Sequence, residues 1–171
     1  MMSIQAYEHF PRQLRAAPGL RPYPVNSARA KARLLILAMI ADGRIDAAEL
    51  DTLMTGGAFA ELGITRADFL DVLYEFGADL AGLPSSGFEV AISPRVAQSL
   101  LAEISDDTQK LAVLRLIFNV IRSDGELAPA EAKLFWNALD AWSLRVDDGR
   151  HHGLSSAVRE LTPSRRRRRA A

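Results

Sequence analysis

The sequence contains no cysteine, few aromatic residues and no long apolar run. Without cysteine, the chain cannot form a disulfide, a thiol nucleophile, an iron–sulfur cluster or a zinc–thiolate site. The longest unbroken apolar run, residues 34–41, is far shorter than the roughly 20 residues that a membrane-spanning helix needs. The Met-Met-Ser-Ile start has no apolar h-region, so we expect no secretory signal. These absences predict a soluble cytoplasmic protein.

The composition favours an all-α fold. Ala and Leu together account for 50 of the 171 residues, whereas Val, Ile and Thr account for 22. Ala and Leu stabilise helices, while β-branched residues favour strands. A chain of this length suits one domain, and its 49% of hydrophobic and 25% of charged residues are typical of a folded globular protein. We therefore expect a compact all-helical bundle, and the start signals described next give it about seven helices.

Helix start signals divide the chain into segments. Serine, threonine or aspartate before an apolar helical pattern predicts a capped N-terminus, and proline at the first helical position strengthens that prediction. Helices are expected to begin near Ser27, Asp46, Thr65, Ser93, Asp106 or Asp107, and Ala128, with a short last helix over Leu154–Leu161. The Gly56-Gly57 pair is interpreted as a break. We expect an irregular Pro- and Arg-rich arm over residues 1–26, the helical domain over residues 27–161, and a disordered Arg-rich tail over residues 162–171.

The net charge of zero hides an uneven distribution. Residues 1–33 hold six basic and one acidic residue, residues 34–164 hold ten basic and twenty acidic, and Arg165–Arg169 add five basic residues. The acidic body should repel nucleic acid, whereas an arginine run can attract phosphate groups on nucleic acid or anionic lipid. Aromatic residues make up only 7% and do not alternate with basic ones, which argues against a base-stacking surface. The Arg tail is therefore interpreted as a weak phosphate-binding segment or as a solvated terminus.

An internal repeat is the most informative feature of the sequence. Residues 41–49, Ala-Asp-Gly-Arg-Ile-Asp-Ala-Ala-Glu, align with residues 123–131, Ser-Asp-Gly-Glu-Leu-Ala-Pro-Ala-Glu, at an offset of 82. Asp, Gly, an aliphatic residue and Glu coincide, and the apolar pattern before each turn matches as well. A period that occurs only twice indicates a duplicated helix–turn–helix, so we expect two pseudo-symmetric halves packed around one core.

Turn chemistry explains most of this repeat. Gly43 and Gly125 each follow a predicted helix, where the C-terminal cap favours glycine. Asp46 can cap the next helix while Glu49, three residues later, reaches back to the N–H of the cap. In the second copy, Pro129 presets the first turn instead.

Asp42 and Asp124 need a further explanation. Each lies at the C-terminal end of a predicted helix, where the helix dipole disfavours a carboxylate by about 0.3–1 kcal/mol. One explanation is an Asx-type turn, in which the carboxylate accepts a hydrogen bond from a backbone N–H that follows it. The other is a bound divalent cation. The residues alone leave both explanations open.

The carboxylates of the two turns offer oxygen ligands for such a cation. The first turn matches the second half of an EF-hand loop, but Ala38 and Ile40 stand where that loop needs oxygen ligands, which excludes an intact EF-hand. What remains is a set of hard ligands that could hold Ca²⁺, Mg²⁺ or Mn²⁺ weakly. The candidate ligands are Asp42, Asp46 and Glu49 in the first turn, and Asp124, Glu126 and Glu131 in the second.

The duplicated Asp-Gly turn, with the hydrophobic helix before it, resembles the TerB-like domain of bacterial tellurite-resistance proteins. The resemblance covers about residues 27–146 and rests on residues 34–49 and 121–131. It implies an all-helical domain of about seven helices, a link to stress response and tellurite tolerance, and action through metal sensing or partner binding, not catalysis. The positions that the resemblance singles out are Asp42, Glu49, Asp124 and Glu131.

The remaining patterns give little support for catalysis. A Gly-rich phosphate loop, a Ser-His-Asp order and a His-Glu-x-x-His motif are all absent. His151 and His152, with Asp147 and Asp148 nearby, could form a surface metal site but are also typical of a solvated loop. We therefore expect a non-catalytic module that binds a protein partner. A divalent-cation sensor is the alternative, and an enzyme using a carboxylate pair is a distant one.

Overall fold

The computed structural model describes residues 19–41, 47–83, 93–122 and 129–144, with the backbone alone at residues 47–49. Within these ranges the chain forms seven α-helices and no strand, which confirms the all-α prediction. The helices are α1 (Ala28–Met39), α2 (Ala47–Thr55), α3 (Ala58–Leu62), α4 (Arg66–Ala81), α5 (Pro94–Leu101), α6 (Asp107–Ile121) and α7 (Pro129–Ala141). None of these described helices is long and apolar enough to cross a membrane. The predicted helix at Leu154–Leu161 lies outside the described residues.

Four helices begin at residues that the sequence predicts as caps. In each, a side-chain oxygen accepts a hydrogen bond from the backbone N–H three residues further on, which satisfies one of the free donors of the first turn. The capping residues and their donors are Ser27 and Ala30, Thr65 and Asp68, Ser93 and Val96, and Asp106 and Gln109. Of the two aspartates proposed for the start of α6, the cap is therefore Asp106.

The short helix α3 corrects the interpretation of Gly56-Gly57 as a simple break. Gly57 (φ 73°) and Gly63 (φ 72°) bound α3 in the left-handed region, where glycine has no side chain to strain. The helix has five residues and no side-chain cap, so it is too short to show an apolar period and lacks the usual start signal. Its Phe59 ring lies 5.1 Å from the Phe69 ring of α4, which anchors α3 to the bundle.

The first helix, α1, occupies the centre of the bundle. Every side chain from Leu34 to Met39 is buried, and the helix packs against α3, α4, α5, α6 and α7. A helix that is apolar on all sides must be covered on all sides. This accounts for the unbroken apolar run of the sequence, which is a core helix and not a membrane segment.

The last described helix, α7, packs against α1, α5 and α6 and covers the core on that side. Phe135, Leu139 and Trp142 are buried, and their spacing of four and three residues places them on one helix face. The Phe135 ring lies 6.0 Å from the ring of Phe118 on α6. The Trp142 indole donates a hydrogen bond of 2.9 Å to the Leu101 carbonyl at the end of α5, so its one polar atom is satisfied in the core.

Candidate functional site

The two helices that lead into the Asp-Gly turns begin side by side. The backbone N–H groups of Ser105 and Asp106 donate hydrogen bonds to Asn26 Oδ1 at 2.8 and 3.1 Å. Asn26 Nδ2 donates to Ser105 Oγ, and the Asn26 backbone N–H donates to the Glu103 carbonyl. Asn26 adopts φ 62°, a left-handed conformation that asparagine tolerates better than most residues. One side chain thus ties the start of α1 to the start of α6.

Because their N-termini are joined and they pack against each other, α1 and α6 run in the same general direction. They end at Met39 and Ile121, and Asp42 and Asp124 follow three residues beyond each end. The chain therefore leaves both helices on the same side of the bundle. In addition, α2 packs on α6, and α7 contacts both α1 and α6, so the two helix pairs interleave.

Most of the predicted cation ligands lie outside the described residues. This applies to Asp42, Asp46, Asp124 and Glu126, and to the side chain of Glu49 on α2. Glu131 is described: it lies in the first turn of α7, where the helix dipole favours a carboxylate, and it is only 5% exposed. In the described part of the chain, no three His, Cys, Asp or Glu side chains group together as metal ligands would. The cation site stays a prediction.

The other residues that the sequence singles out are also not described. His151 and His152, Asp147 and Asp148, and the Arg165–Arg169 tail fall outside the described ranges. The surface metal site and the phosphate-binding tail therefore also stay predictions.

A buried arginine forms a second polar centre, which no motif of the sequence predicts. Arg33 on α1 is 1% exposed. Its Nη1 donates a 2.7 Å hydrogen bond to the Arg21 carbonyl, and its Nη2 donates to both carboxylate oxygens of Glu103. The guanidinium carbon also lies 4.3 Å from the centre of the Tyr23 ring, a cation–π distance. Arg33 Nε has no hydrogen-bond partner among the described residues.

Glu103, whose carboxylate pairs with Arg33, is itself largely shielded from water. Burial raises the pKa of Glu103, and the hydrogen bond from Arg33 acts against that rise. Pairing with a guanidinium compensates part of the cost of burying a carboxylate. The pair joins α1 to the chain between α5 and α6.

Residues 19–27, here termed the N-terminal segment, contact α4 through a set of hydrogen bonds and ion pairs that is separate from the contacts of Arg33. Arg21 Nε lies 3.1 Å from Asp79 Oδ1, and the Tyr23 hydroxyl donates a 2.5 Å hydrogen bond to Glu75 Oε2. This hydrogen bond lowers the pKa of Glu75, while burial, followed by the Glu75 contact, raises the pKa of Tyr23 to about 12. Arg29 of α1 also pairs with Glu75 at 3.3 Å. Leu20 of this segment is buried in the core. The N-terminal segment therefore packs on the helical bundle, although it contains no helix itself.

A groove lies between α5 and α7. Its volume is about 390 Å³, and it has an apolar floor with polar side chains along its edges. The lining residues are Pro94, Ala97, Gln98, Leu101, Lys133, Asn137, Asp140 and Ala141. On α7, Lys133, Asn137 and Asp140 are spaced four and three residues apart, which places them on one helix face. Helical spacing alone cannot reveal this groove because its two walls come from helices that are distant in sequence.

Comparison with known families identifies the domain. The family model described as tellurite resistance protein TerB matches residues 28–151. This chain belongs to the TerB family. The match confirms the resemblance seen in the sequence, and it spans all seven described helices and both Asp-Gly turns. Neither the curated proteins nor the solved structures contain a significant match.

Some of these structural features lie inside the TerB match and others lie before it. Both ends of the α5–α7 groove and the buried Arg33 lie inside the TerB match, as do Glu131 and the two turns. The N-terminal segment lies before it, although Arg21 and Tyr23 of that segment contact Arg33 of the TerB core. The TerB match therefore includes the Glu103 partner of this arginine but not its contacts with Arg21 and Tyr23.

Proposed function

We propose that this chain is a non-catalytic, cytoplasmic TerB module that binds a protein partner in a stress response of the tellurite type. The TerB match supports the link to that response. The groove between α5 and α7 is the observation that carries the partner-binding role, since it combines an apolar floor with side chains that can pair with a polypeptide.

The chemistry of the groove favours one kind of occupant. Ala97 and Leu101 form a buried apolar floor, while the side-chain amides of Gln98 and Asn137 can hydrogen-bond to a peptide backbone. An extended segment of a partner protein, with a small apolar residue over the floor, satisfies these features.

Two charges on α7 set the charge pattern of that segment. Lys133 and Asp140 are seven residues apart on one helix, which separates them by roughly 10 Å along its axis. Three residues of an extended chain span about the same distance. The segment should therefore carry an acidic and a basic side chain three residues apart, opposite Lys133 and Asp140 respectively.

Peptide binding by the full chain tests this function. Fluorescent peptides containing Glu-x-x-Lys, with small apolar residues between, are titrated by anisotropy against a scrambled set that lacks this spacing. We expect saturable binding of the spaced set, weakened at least tenfold by Asp140→Lys, because reversal of one charge replaces attraction with repulsion. Asp51→Lys on α2 is the matched control, since Asp51 is also an exposed helical aspartate.

Two outcomes would contradict the groove as the binding site. One is equal binding of the spaced and scrambled peptides. The other is an affinity that Asp140→Lys and Asp51→Lys change to the same extent, which would indicate a general charge effect.

A divalent-cation sensor is the second candidate function. Its support is that α1 and α6 begin together and run in the same direction, so the chain leaves both helices on one side of the bundle shortly before the two Asp-Gly sequences. The candidate donors are all carboxylates, which suit Ca²⁺, Mg²⁺ or Mn²⁺, and a bound ion would compensate negative charge at two helix C-termini. A cation-dependent rise in the unfolding temperature of chelator-treated protein tests this function.

A further inference from the structure

The groove between α5 and α7 lies next to the point at which the chain leaves the last described helix. The Trp142 indole donates its 2.9 Å hydrogen bond to the Leu101 carbonyl, which holds the C-terminal ends of α5 and α7 together. Leu101, Asp140 and Ala141 line this end of the groove, and the described chain ends shortly afterwards at Leu144. The residues that follow therefore begin beside the groove.

Helix α7 ends in a turn that directs the chain away from the helix axis. Ser143 adopts φ 52°, and the backbone N–H of Leu144 donates a hydrogen bond to the Leu139 carbonyl. A left-handed residue followed by this hydrogen bond is a Schellman cap, which ends a helix. Leu144 also packs against the hydrophobic core. The chain thus leaves α7 close to the surface of the bundle.

The chain beyond Leu144 is long enough to cover the groove. Nine residues, 145–153, separate Leu144 from Leu154, and an extended chain of that length spans roughly 30 Å. Helix α7 has 13 residues and is about 20 Å long. Every position along the groove is therefore within reach of the residues that begin at Leu154.

Residues 154–161 have the sequence pattern of a short amphipathic helix. They lie outside the described residues and beyond the TerB match, which ends at residue 151. Their apolar residues recur at intervals of three and four, which places them on one face of a helix. These residues are Leu154, Ala157, Val158 and Leu161.

We propose that residues 154–161 form a helix that occupies the α5–α7 groove of the same chain. The apolar face of this helix covers Pro94 and Ala141, which line the groove and are exposed among the described residues. The docked helix competes with the partner segment assigned to the groove above. This competition rests on the proposed function, whereas the docking itself does not.

Charge complementarity favours one direction of the docked helix. Because the chain leaves α7 at the Asp140 end of the groove, the helix begins there and runs back toward Lys133, antiparallel to α7. Its positive N-terminus then lies near the exposed Asp140, and its negative C-terminus, with Glu160, lies near the exposed Lys133. Ala157, halfway along the helix, lies beside Asn137. The opposite direction would bring Glu160 and the negative helix end toward Asp140.

The other charges of this part of the chain are compatible with that arrangement. Arg159 lies on the polar side of the helix, away from the groove. Residues 145–153 contain two arginines and two aspartates, so they favour neither end of the groove. Pro163 disfavours continuation of the helix, and the Arg165–Arg169 run begins about 13 Å beyond Leu161 along an extended chain.

Disulfide trapping in the full chain tests the docking directly, because the parent sequence has no cysteine. Asn137→Cys in the groove is combined with Ala157→Cys, and oxidation is followed on non-reducing gels. The matched control pairs Asn119→Cys, at an exposed asparagine of α6, with Ala157→Cys. We expect the groove pair to form a disulfide within one chain at least about tenfold faster than the control pair, because docking raises the local concentration of the two thiols. Val158→Glu on the apolar face should remove this difference, and Ser156→Glu on the polar face should retain it.

Three results would overturn the docking. The first is an equal rate of disulfide formation in the groove pair and the control pair. The second is a groove-pair rate that Val158→Glu leaves unchanged. The third is a disulfide that joins two chains, because the occupant would then be a second copy.

Peptide binding separates the competition from the proposed function. The Glu-x-x-Lys peptides should bind Val158→Glu at least about threefold more tightly than they bind the parent chain, because a larger fraction of the grooves is open, whereas Ser156→Glu should bind them like the parent. Equal affinities of Val158→Glu and the parent overturn the competition. Trapping of the groove pair without peptide binding to any variant supports the docking and contradicts the proposed function. Peptide binding without preferential trapping supports the proposed function and overturns the docking.

Discussion

Arg33 and Glu103 meet across 70 residues of sequence, and the Arg33 guanidinium donates to both oxygens of the Glu103 carboxylate. The contact joins the central helix α1 to the chain between α5 and α6. The arginine at the equivalent place in the repeat, Arg115, is 63% exposed and pairs with Glu61 on α3. The two halves thus keep the same residue type at one position but use it differently, once in the core and once on the surface.

Breaking the buried pair should destabilise the fold. Arg33→Met leaves the Glu103 carboxylate without its main partner, and removal of one partner of a buried ion pair costs about 3–5 kcal/mol. The free energy of unfolding from urea titration measures the loss. Arg115→Met is the matched control and should cost no more than about 1 kcal/mol, because exposed ion pairs contribute little. Equal losses in the two variants would contradict a special role for Arg33.

A double variant distinguishes pairing from packing. When Glu103→Leu is added to Arg33→Met, both buried charges are gone, and we expect stability to recover by more than about 1 kcal/mol relative to Arg33→Met alone. A double variant that is less stable than Arg33→Met would instead show that Glu103 contributes through contacts other than this pair.

Tyr23 should make stability fall at high pH. Its pKa in the folded state is about 12, above the ordinary value of 10, so the contribution of its neutral hydroxyl is fully present below pH 10. It is lost as the pH rises from 10 through 12, because the unfolded state releases the phenolic proton first. Unfolding free energies measured across this range should fall less steeply in Tyr23→Phe than in the parent chain. Identical slopes would contradict the assignment.

Two glycines should respond to alanine in opposite directions. Gly63→Ala forces a left-handed conformation at φ 72° and should cost about 1 kcal/mol or more. Gly77→Ala lies in a helix interior where no atom of the described residues comes within 4 Å of the new Cβ, and it should gain up to about 1 kcal/mol. Thermal and urea unfolding of the two variants provide the comparison. A stabilising Gly63→Ala would contradict the account of how α3 ends.

The cation-sensor function predicts a saturable rise in the unfolding temperature of chelator-treated protein. A cation that binds only the folded state adds about 2.7 kcal/mol at a hundredfold excess over its dissociation constant. Ca²⁺, Mg²⁺ and Mn²⁺ are the ions to compare, and Asp42→Asn should abolish the rise while Asp51→Asn on the outside of α2 retains it. No rise with any of the three ions up to millimolar concentration would exclude this function.

If Asp42 and Asp124 serve only as turn residues, the same variants give a different result. Asp42→Asn and Asp124→Asn should then destabilise the cation-free protein, because the hydrogen bond from the turn to a charged acceptor is weakened. Unfolding in the presence of chelator measures this effect without a contribution from metal.

The sequence predicts the features that depend on neighbouring residues, namely the helix caps and the buried helix α1. The caps at Ser27, Thr65, Ser93 and Asp106 depend on neighbours three residues away, so they can be read directly from the chain. The burial of α1 follows from its continuous apolar run. No local signal predicts helix α3, because it has only five residues and is bounded by left-handed glycines without a side-chain cap.

The contacts that define the candidate sites are mostly long-range and were not predictable. Arg21, Tyr23 and Glu103 give no periodic signal, and their common partner Arg33 appears in sequence only as one charge at the edge of an apolar run. The groove likewise needs α5 and α7 to be placed side by side. Such placements depend on tertiary packing, which a single sequence does not encode in local patterns.

The contact between Arg33 Nη1 and the Arg21 carbonyl has a consequence for modularity. Residue 21 precedes the start of the TerB match, yet its carbonyl and the nearby Tyr23 ring complete the environment of a buried charge within that match. If the stretch from Ala28 onward were transplanted into another protein, Arg33 would lose these neighbours, and the new host would have to supply an acceptor. A segment that keeps this contact intact when it is moved to another protein must therefore begin before residue 28, where the TerB match begins.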